Sequence, residues 1–202
     1  MKPTIERRAL GSLSGPPGAE KKLESDFYVE GYATTYGQPY EMFTDPETGI
    51  TYYEMIHPAA LQGADLHDVV MLYDHDSRVM ARTTNGTLLL YPGDAQGLGF
   101  AADMSKSDFA RQIHSDVAAG LITGMSWSFS VAPGGEYYDP ATHTRVITKI
   151  RRVYDVSPVS LPQNEATSVE MRGFIKAAAQ KAEAEKDQME QRRKKCRLLL
   201  TL

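Results

Sequence analysis

Apolar residues alternate with polar or small ones in several short segments of the chain, and this two-residue period predicts β-strands. Residues 27–37 (FYVEGYATTYG) are typical, since aromatic and β-branched residues recur there among small and polar ones. Further strands are predicted at residues 50–56, 69–74, 87–91, 97–104, 123–131 and 145–161, the last bent or broken near Pro158. The pattern therefore predicts a mainly β (α+β) fold, an antiparallel β-barrel of about seven strands with flanking helices.

A period near four residues predicts one clear helix at residues 105–122, with Ser105 or Ser107 as its N-cap. Its apolar face would carry residues spaced by four: Phe109, Ile113, Val117 and Leu121. A shorter helix is predicted at residues 57–66, opened by Pro58.

Composition divides the chain into three parts. Residues 1–25 are rich in Gly, Pro, Ser and Lys without a period, which predicts a flexible N-terminal arm. Residues 26–171 hold the predicted strands and form the expected β-barrel domain. Residues 172–202 are rich in Ala, Glu, Lys and Gln, which predicts a basic helical tail. Because this tail lacks a continuous apolar stripe, we expect it to be exposed or dependent on a partner.

Charge is distributed unevenly around the net value of −4. Residues 172–202 contain nine Lys or Arg and four acidic residues, whereas residues 26–171 contain eight basic and 19 acidic residues. An acidic body argues against a nucleic-acid partner, because the phosphate backbone requires Lys and Arg. The basic tail either contacts an acidic partner or is simply a solvated helix.

No apolar run approaches the ~20 residues of a membrane helix, and the N-terminus lacks the apolar core of a signal peptide. These features predict a cytoplasmic protein without a membrane partner. The lone cysteine, Cys196, cannot form an internal disulfide, and its basic surroundings favour an incidental residue. We expect no cofactor.

Three residues with catalytic chemistry lie in or at the end of predicted strands: His75 in VVMLYDHD, Ser126 in GLITGMSWSF and Asp155 in VYDVSPVSLPQN. A base, a nucleophile and an acid are what a serine hydrolase requires. Each residue also has an ordinary interpretation as a loop histidine, a half-exposed strand serine or an exposed strand carboxylate. A metal site at Asp74-His75-Asp76 is a further, weaker alternative, since no second histidine lies nearby.

The order and amino-acid sequences of these segments resemble those of the prohead maturation proteases of tailed bacteriophages, which are related to the herpesvirus assemblin proteases. The similarity covers about residues 27–170. It includes FYVEGYAT, the IHPAAL segment, MLYDHD at the end of an apolar strand, LITGMSWSF after a helix, and the closing YDVSPVSLPQN.

This resemblance implies a herpesvirus-protease-like barrel in which His75 is the general base, Ser126 the nucleophile and Asp155 the third member. Backbone amides near Gln163 and Asn164 would form the oxyanion hole. The implied substrates are the scaffolding segment of the capsid protein and the protease itself. The implied location is the assembling prohead in the host cytoplasm, and a homodimer is possible by analogy.

The chain departs from the family pattern at two positions. Ser128 stands where a glycine is usual, which makes it a rival nucleophile. Asp155 stands where a glutamate is usual, and its side chain is shorter by one methylene, which bears on its hydrogen bond to His75. A competing prediction is a non-enzymatic β-barrel that serves as a structural or scaffold-binding protein of the procapsid.

Overall fold

The computed structural model describes residues 4–13, 22–161 and 169–199 of the chain. The strands are β1 (Glu6–Ser12), β2 (Tyr28–Thr35), β3 (Tyr40–Thr44), β4 (Thr51–Ile56), β5 (Val70–Leu72), β6 (Val79–Arg82), β7 (Leu88–Tyr91), β8 (Gly97–Asp103), β9 (Gly124–Val131), β10 (Glu136–Asp139), β11 (Thr144–Ile147) and β12 (Ile150–Val159). The helices are α1 (Asp108–Ala118) and α2 (Val169–Leu199), with a short 3₁₀ helix at Thr83–Asn85.

The described strands form two sheets. The large sheet has the order β6-β5-β12-β9-β1-β2-β8-β7, and the small sheet has the order β10-β11-β4-β3. Most neighbours are antiparallel, but β5 runs parallel to β12 and β4 runs parallel to β11. The predicted mainly β class with flanking helices is therefore confirmed. The sheets are open among the described residues and contain twelve strands, so the predicted barrel of about seven strands is not confirmed.

Strand β1 lies near the middle of the large sheet, between β9 and β2. Its backbone pairs Glu6 with Phe129 and Arg8 with Trp127. Residues 6–12 were expected to belong to the flexible arm 1–25, and that prediction is wrong for this segment. The charged sequence ERRALGS concealed the strand, because the charges of Glu6 and Arg8 are buried and paired with other charges of the fold.

The predicted strand at residues 145–161 is divided into β11 and β12, which belong to different sheets. The break occurs between Ile147 and Ile150 and not at Pro158, which lies inside β12 opposite Met125. The carbonyl of Pro158 is nevertheless used, because it accepts a hydrogen bond from the backbone of Asp74.

The two helices predicted before β9 have different outcomes. Residues 58–63 form successive turns instead of a helix, and Gly63 has a φ of 75°. By contrast, α1 is confirmed with Ser107 as its N-cap, whose side chain accepts a hydrogen bond from the backbone of Ala110. Leu121 was predicted on the apolar face but lies beyond the helix and is 73% exposed.

The C-terminal helix α2 confirms the predicted helical tail and touches the body at one end. Ile175 is buried in a small apolar cluster with Met42, Phe43 and Tyr52 of the small sheet. The later part of α2, residues 183–194, is exposed. The helix is therefore attached to the body near its beginning and exposed over residues 183–194.

A network of buried charges joins the two sheets. We call it the inter-sheet charge network, and it consists of Glu6, Arg8, Glu54, Glu136 and Arg145. Arg8 contacts Glu54 at 2.6 Å and Glu6 at 2.7 Å, and Arg145 contacts the same two carboxylates. Because Glu6 and Arg8 belong to β1, the network fastens that strand to the small sheet.

Candidate active site

His75, Ser126 and Asp155 come together at one end of the large sheet. The Nε2 atom of His75 is 2.6 Å from the hydroxyl oxygen of Ser126, and its Nδ1 atom is 2.6 Å from Oδ1 of Asp155. The three residues come from the turn after β5, from β9 and from β12. Ser126 and Asp155 lie 51 and 80 positions after His75 in the chain, and the three side chains form one continuous hydrogen-bonded series.

The order of strands explains this meeting. Strand β12 lies between β5 and β9, and its register places Ser157 opposite Ser126 and Asp155 opposite Ser128. Because side chains alternate along a strand, Ser126 and Ser128 project from the same face of β9. The opposite face carries Trp127 and Phe129, whose rings stack with centroids 4.3 Å apart. Packing of these rings in the core directs the serines toward His75.

The Asp155 carboxylate is buried and held by several donors. Burial by itself would raise its pKa, but the hydrogen bond and charge of His75 and the hydroxyls of Ser128 and Ser157 hold the pKa below its ordinary value. Ser157 donates to Oδ1 of Asp155 at 2.6 Å. An ionised Asp155 favours the tautomer in which His75 carries its proton on Nδ1, and this leaves Nε2 free to accept the proton of Ser126.

Ser128 also contacts His75, but at the other nitrogen. Its hydroxyl is 3.3 Å from Nδ1, the nitrogen that faces Asp155. A nucleophile must give its proton to a ring nitrogen that is free to accept it. The geometry therefore favours Ser126 over Ser128 for that role and places Ser128 beside the carboxylate.

The turn that carries His75 has an unusual backbone. Both Asp74 and His75 have positive φ values, 50° and 57°. Such conformations are uncommon for residues other than glycine and persist where surrounding contacts enforce them. Those contacts come from the side chain of Asp74, which accepts hydrogen bonds from the backbone and the hydroxyl of Ser160 at 2.8 and 2.7 Å.

Ser126 and His75 open into a cleft of about 240 Å³. Its walls include Arg7 from β1, the buried Val159 at the end of β12, and the exposed Ser160 and Leu161 that follow it. A larger and more apolar cavity of about 570 Å³ lies over β2, β7 and β8, and none of the three residues lines it. We assign the smaller cleft as the candidate site, because only this one combines an opening with a nucleophile and a base.

The family model described as caudovirus prohead serine protease matches residues 18–186. This chain belongs to that family. No curated protein and no solved structure matched it. Prohead serine proteases are hydrolases of phage capsid maturation, and the predicted family resemblance is confirmed.

Membership in the prohead protease family does not by itself test the residues predicted for its site. The structure brings His75, Ser126 and Asp155 together, while their catalytic roles remain a prediction. Gln163 and Asn164, predicted near the oxyanion hole, lie outside the described residues. The family match begins at residue 18, so strand β1, which borders the cleft, precedes the matched region.

Three contributions to this site were not predicted. Ser157 donates to Asp155, Asp74 accepts a hydrogen bond from Ser160, and Arg7 lines the cleft. Ser157 had a usable signal, because it lies two positions after Asp155 and therefore on the same face of the strand. The other two had none, since both depend on how separate parts of the chain meet.

The two carboxylates of the Asp74-His75-Asp76 segment, the alternative metal site, face other partners. Asp74 faces Ser160, and Asp76 accepts a hydrogen bond from the backbone of Ser77 at 2.7 Å. The part of the chain that the structure describes contains no group of three or more His, Cys, Asp or Glu placed to hold a metal ion. Likewise, no described helix has the length and apolarity needed to cross a membrane.

Proposed function

We propose that this prohead protease family member is an active serine endopeptidase in which Ser126 is the nucleophile, His75 the general base and Asp155 the residue that orients His75. The observation that carries the proposal is the bridging position of His75, with Ser126 on Nε2 and Asp155 on Nδ1 at 2.6 Å each. The opening of this arrangement into a cleft supports the same assignment.

The proposed reaction is acyl transfer. Ser126 Oγ attacks the carbonyl carbon of a peptide bond while its proton moves to Nε2 of His75. The tetrahedral intermediate collapses as His75 returns that proton to the leaving amine, and an acyl-enzyme with an ester to Ser126 remains. Water, deprotonated by His75, then hydrolyses the ester and regenerates the serine. Asp155 stabilises the charged imidazole during both steps.

We further propose that the substrates are scaffold or capsid protein segments and the protease chain itself, cut inside the assembling prohead in the host cytoplasm. The family description supports a role in the prohead. The exposed part of α2, residues 183–194, is accessible to self-cleavage or to an acidic scaffold partner. A homodimer remains part of the proposal by analogy with the related viral enzymes.

The test is covalent labelling with diisopropyl fluorophosphate, which requires no knowledge of the substrate. An activated serine displaces fluoride, forms an O–P bond and passes its proton to the adjacent base. We expect one label per chain, located on Ser126 by peptide mass spectrometry. Ser126→Ala should abolish labelling and self-trimming, whereas Ser128→Ala should retain both.

The outcomes separate the alternatives. Labelling of Ser128 in the Ser126→Ala protein, with loss in Ser128→Ala, would reverse the assignment of the nucleophile. A folded wild-type protein that neither labels nor trims itself would support the competing class, a non-enzymatic structural or scaffold-binding protein of the procapsid.

A further inference from the structure

We propose that Asp74 is a positioning residue that fastens the His75 turn to the end of strand β12 and so sets the distance between the base and Asp155. This inference rests on the proposed function, because it assigns Asp74 a role through His75. Asp74 immediately precedes His75 in the chain, and β12 carries Asp155.

Three hydrogen bonds connect Asp74 to β12 and the residue that follows it. The backbone N–H of Asp74 donates to the carbonyl of Pro158 at 3.1 Å. Its two carboxylate oxygens accept from the backbone N–H and the hydroxyl of Ser160, at 2.8 and 2.7 Å. Asp74 thus anchors the turn to this end of β12 through both its backbone N–H and its side chain.

The strained backbone explains why this anchoring is needed. Asp74 and His75 both have φ values in the left-handed region, and such residues relax to ordinary conformations unless contacts hold them. If the turn relaxed, His75 would move away from Asp155 and Ser126 together, since its side chain has no other described hydrogen-bond partners besides Ser128. A displacement of about 1 Å at a catalytic base is costly, of order 10²-fold in the extreme.

The anchoring depends on hydrogen-bond acceptors and not on the negative charge. Asn at position 74 keeps an acceptor for the Ser160 N–H and tolerates positive φ. Gly tolerates positive φ even better but lacks the side chain. Comparing Asp74→Asn with Asp74→Gly therefore separates the side-chain contacts from the backbone conformation, which both variants permit.

The experiment measures the maximal labelling rate (kinact) and the half-saturating concentration (KI) for diisopropyl fluorophosphate. The Asp74 contacts are exposed, so water competes with them, and we expect Asp74→Gly to lower kinact about tenfold with KI unchanged. Asp74→Asn should remain within about threefold of wild type and keep the same pH profile. Ser160→Ala, which loses only the hydroxyl, should fall between the two.

The chain offers a matched control. Asp139 likewise accepts one backbone N–H, from Ala141, and one hydroxyl, from Thr142, both at 2.9 Å. It lies on β10 in the small sheet, away from the cleft. Asp139→Gly and Thr142→Ala should therefore leave kinact unchanged, and circular dichroism should show all variants folded.

Two results would overturn the proposal. One is a wild-type kinact in Asp74→Gly. The other is an equal loss in Asp74→Asn and Asp74→Gly with a shifted pH profile, which would assign the effect to charge. If Asp74→Gly does not fold, the test is the kinact of Ser160→Ala compared with that of Thr142→Ala. Equal kinact values in these two variants would reject the proposed role of Asp74. Undiminished labelling of Ser126→Ala would instead refute the proposed function.

Discussion

Two groups of buried charged residues in this protein have similar contacts and different surroundings. In the inter-sheet charge network, the Arg8 and Arg145 side chains are 1% and 2% exposed, and Glu54 is fully buried. At the candidate active site, His75 and Asp155 side chains are each 8% exposed. Burial alone therefore does not distinguish the two groups.

The difference lies in what each hydrogen-bonded series leads to. In the network, each Arg8 and Arg145 guanidinium is bound by carboxylates, and the series closes on itself between the sheets. At the site, the series runs from a carboxylate through a titratable ring to a hydroxyl that faces a cleft. A proton can move along the second series, whereas guanidinium groups do not release theirs. A catalytic site thus requires a hydrogen-bonded series that reaches a cleft and carries a transferable proton, in addition to buried charge.

The largest expected effect concerns the site. His75→Ala should lower the rate of self-cleavage by about 10⁵-fold or more, and Asp155→Ala by about 10³–10⁴-fold, because His75 is the proposed base and Asp155 is proposed to orient it. Gel assays of self-trimming and labelling with diisopropyl fluorophosphate would measure both. Equal losses would show that Asp155 contributes more than orientation, and a small loss in His75→Ala would contradict its role as base.

A substitution in the inter-sheet charge network should lower the free energy of unfolding and leave the labelling of Ser126 unchanged. Glu54→Gln leaves buried guanidiniums short of a charged partner and should lower the free energy of unfolding by about 3–5 kcal/mol, as measured by urea denaturation. Labelling of Ser126 per folded molecule should be unchanged. Glu47→Gln, in an exposed loop, is the control and should alter neither quantity. A selective loss of labelling in Glu54→Gln would join the two regions functionally.

The ionisation of Glu54 predicts that the stability of the folded protein depends on pH. Burial would raise the pKa of Glu54, but Arg8, then Arg145 and the Tyr40 hydroxyl, lower it to about 2. Since the folded pKa lies below the unfolded one, its contribution to stability is complete above about pH 4.5 and is lost as the pH falls toward 2. Acid unfolding of Glu54→Gln should therefore be less steep across that range than acid unfolding of wild type. Identical slopes would show that Glu54 is not ionised in the folded protein.

A smaller effect is expected where α2 joins the body. Ile175→Ala removes a buried side chain from the cluster with Phe43 and Tyr52 and should cost about 2 kcal/mol, at the low end because a helix end can detach locally. Met189→Ala, at an exposed position on the same helix, is the matched control. Hydrogen exchange should show faster opening of α2 only in the first variant. Faster opening in both would mean that α2 is not held through Ile175.

The smallest expected effect returns to the site. Ser157→Ala removes one donor to Asp155, which keeps His75 and Ser128 as partners, and should cost about 1.5 kcal/mol in stability above pH 4. The pKa of Asp155 should rise toward its ordinary value, so the stability that its ionised form contributes should be lost at a higher pH than in wild type. Carboxyl titration by NMR would measure this shift. An unchanged titration would show that His75 and Ser128 hold the carboxylate ionised without Ser157.

Much of the local structure was predictable because its signals are local. The alternation in TGMSWSFSV correctly placed the serines of β9 on one face and Trp127 and Phe129 on the other. The helix cap was narrowed to Ser105 or Ser107 from the residues before the apolar period, and the structure has Ser107 as the N-cap. By contrast, Leu121 was misplaced on the apolar face, because Gly120 has a positive φ of 73° and the helix ends before Leu121.

The sequence by itself determined the residue types, the strand periods and the family, since each depends on side chains at short or fixed spacings. Only the tertiary structure decided that β1 lies beside β9, that Ser126 and not Ser128 faces Nε2 of His75, and that Asp74 binds Ser160. The reason is physical: a charge or hydroxyl has the same local pattern whether water or a distant partner satisfies it. The partner is chosen by strand order and register, which are set by the whole fold.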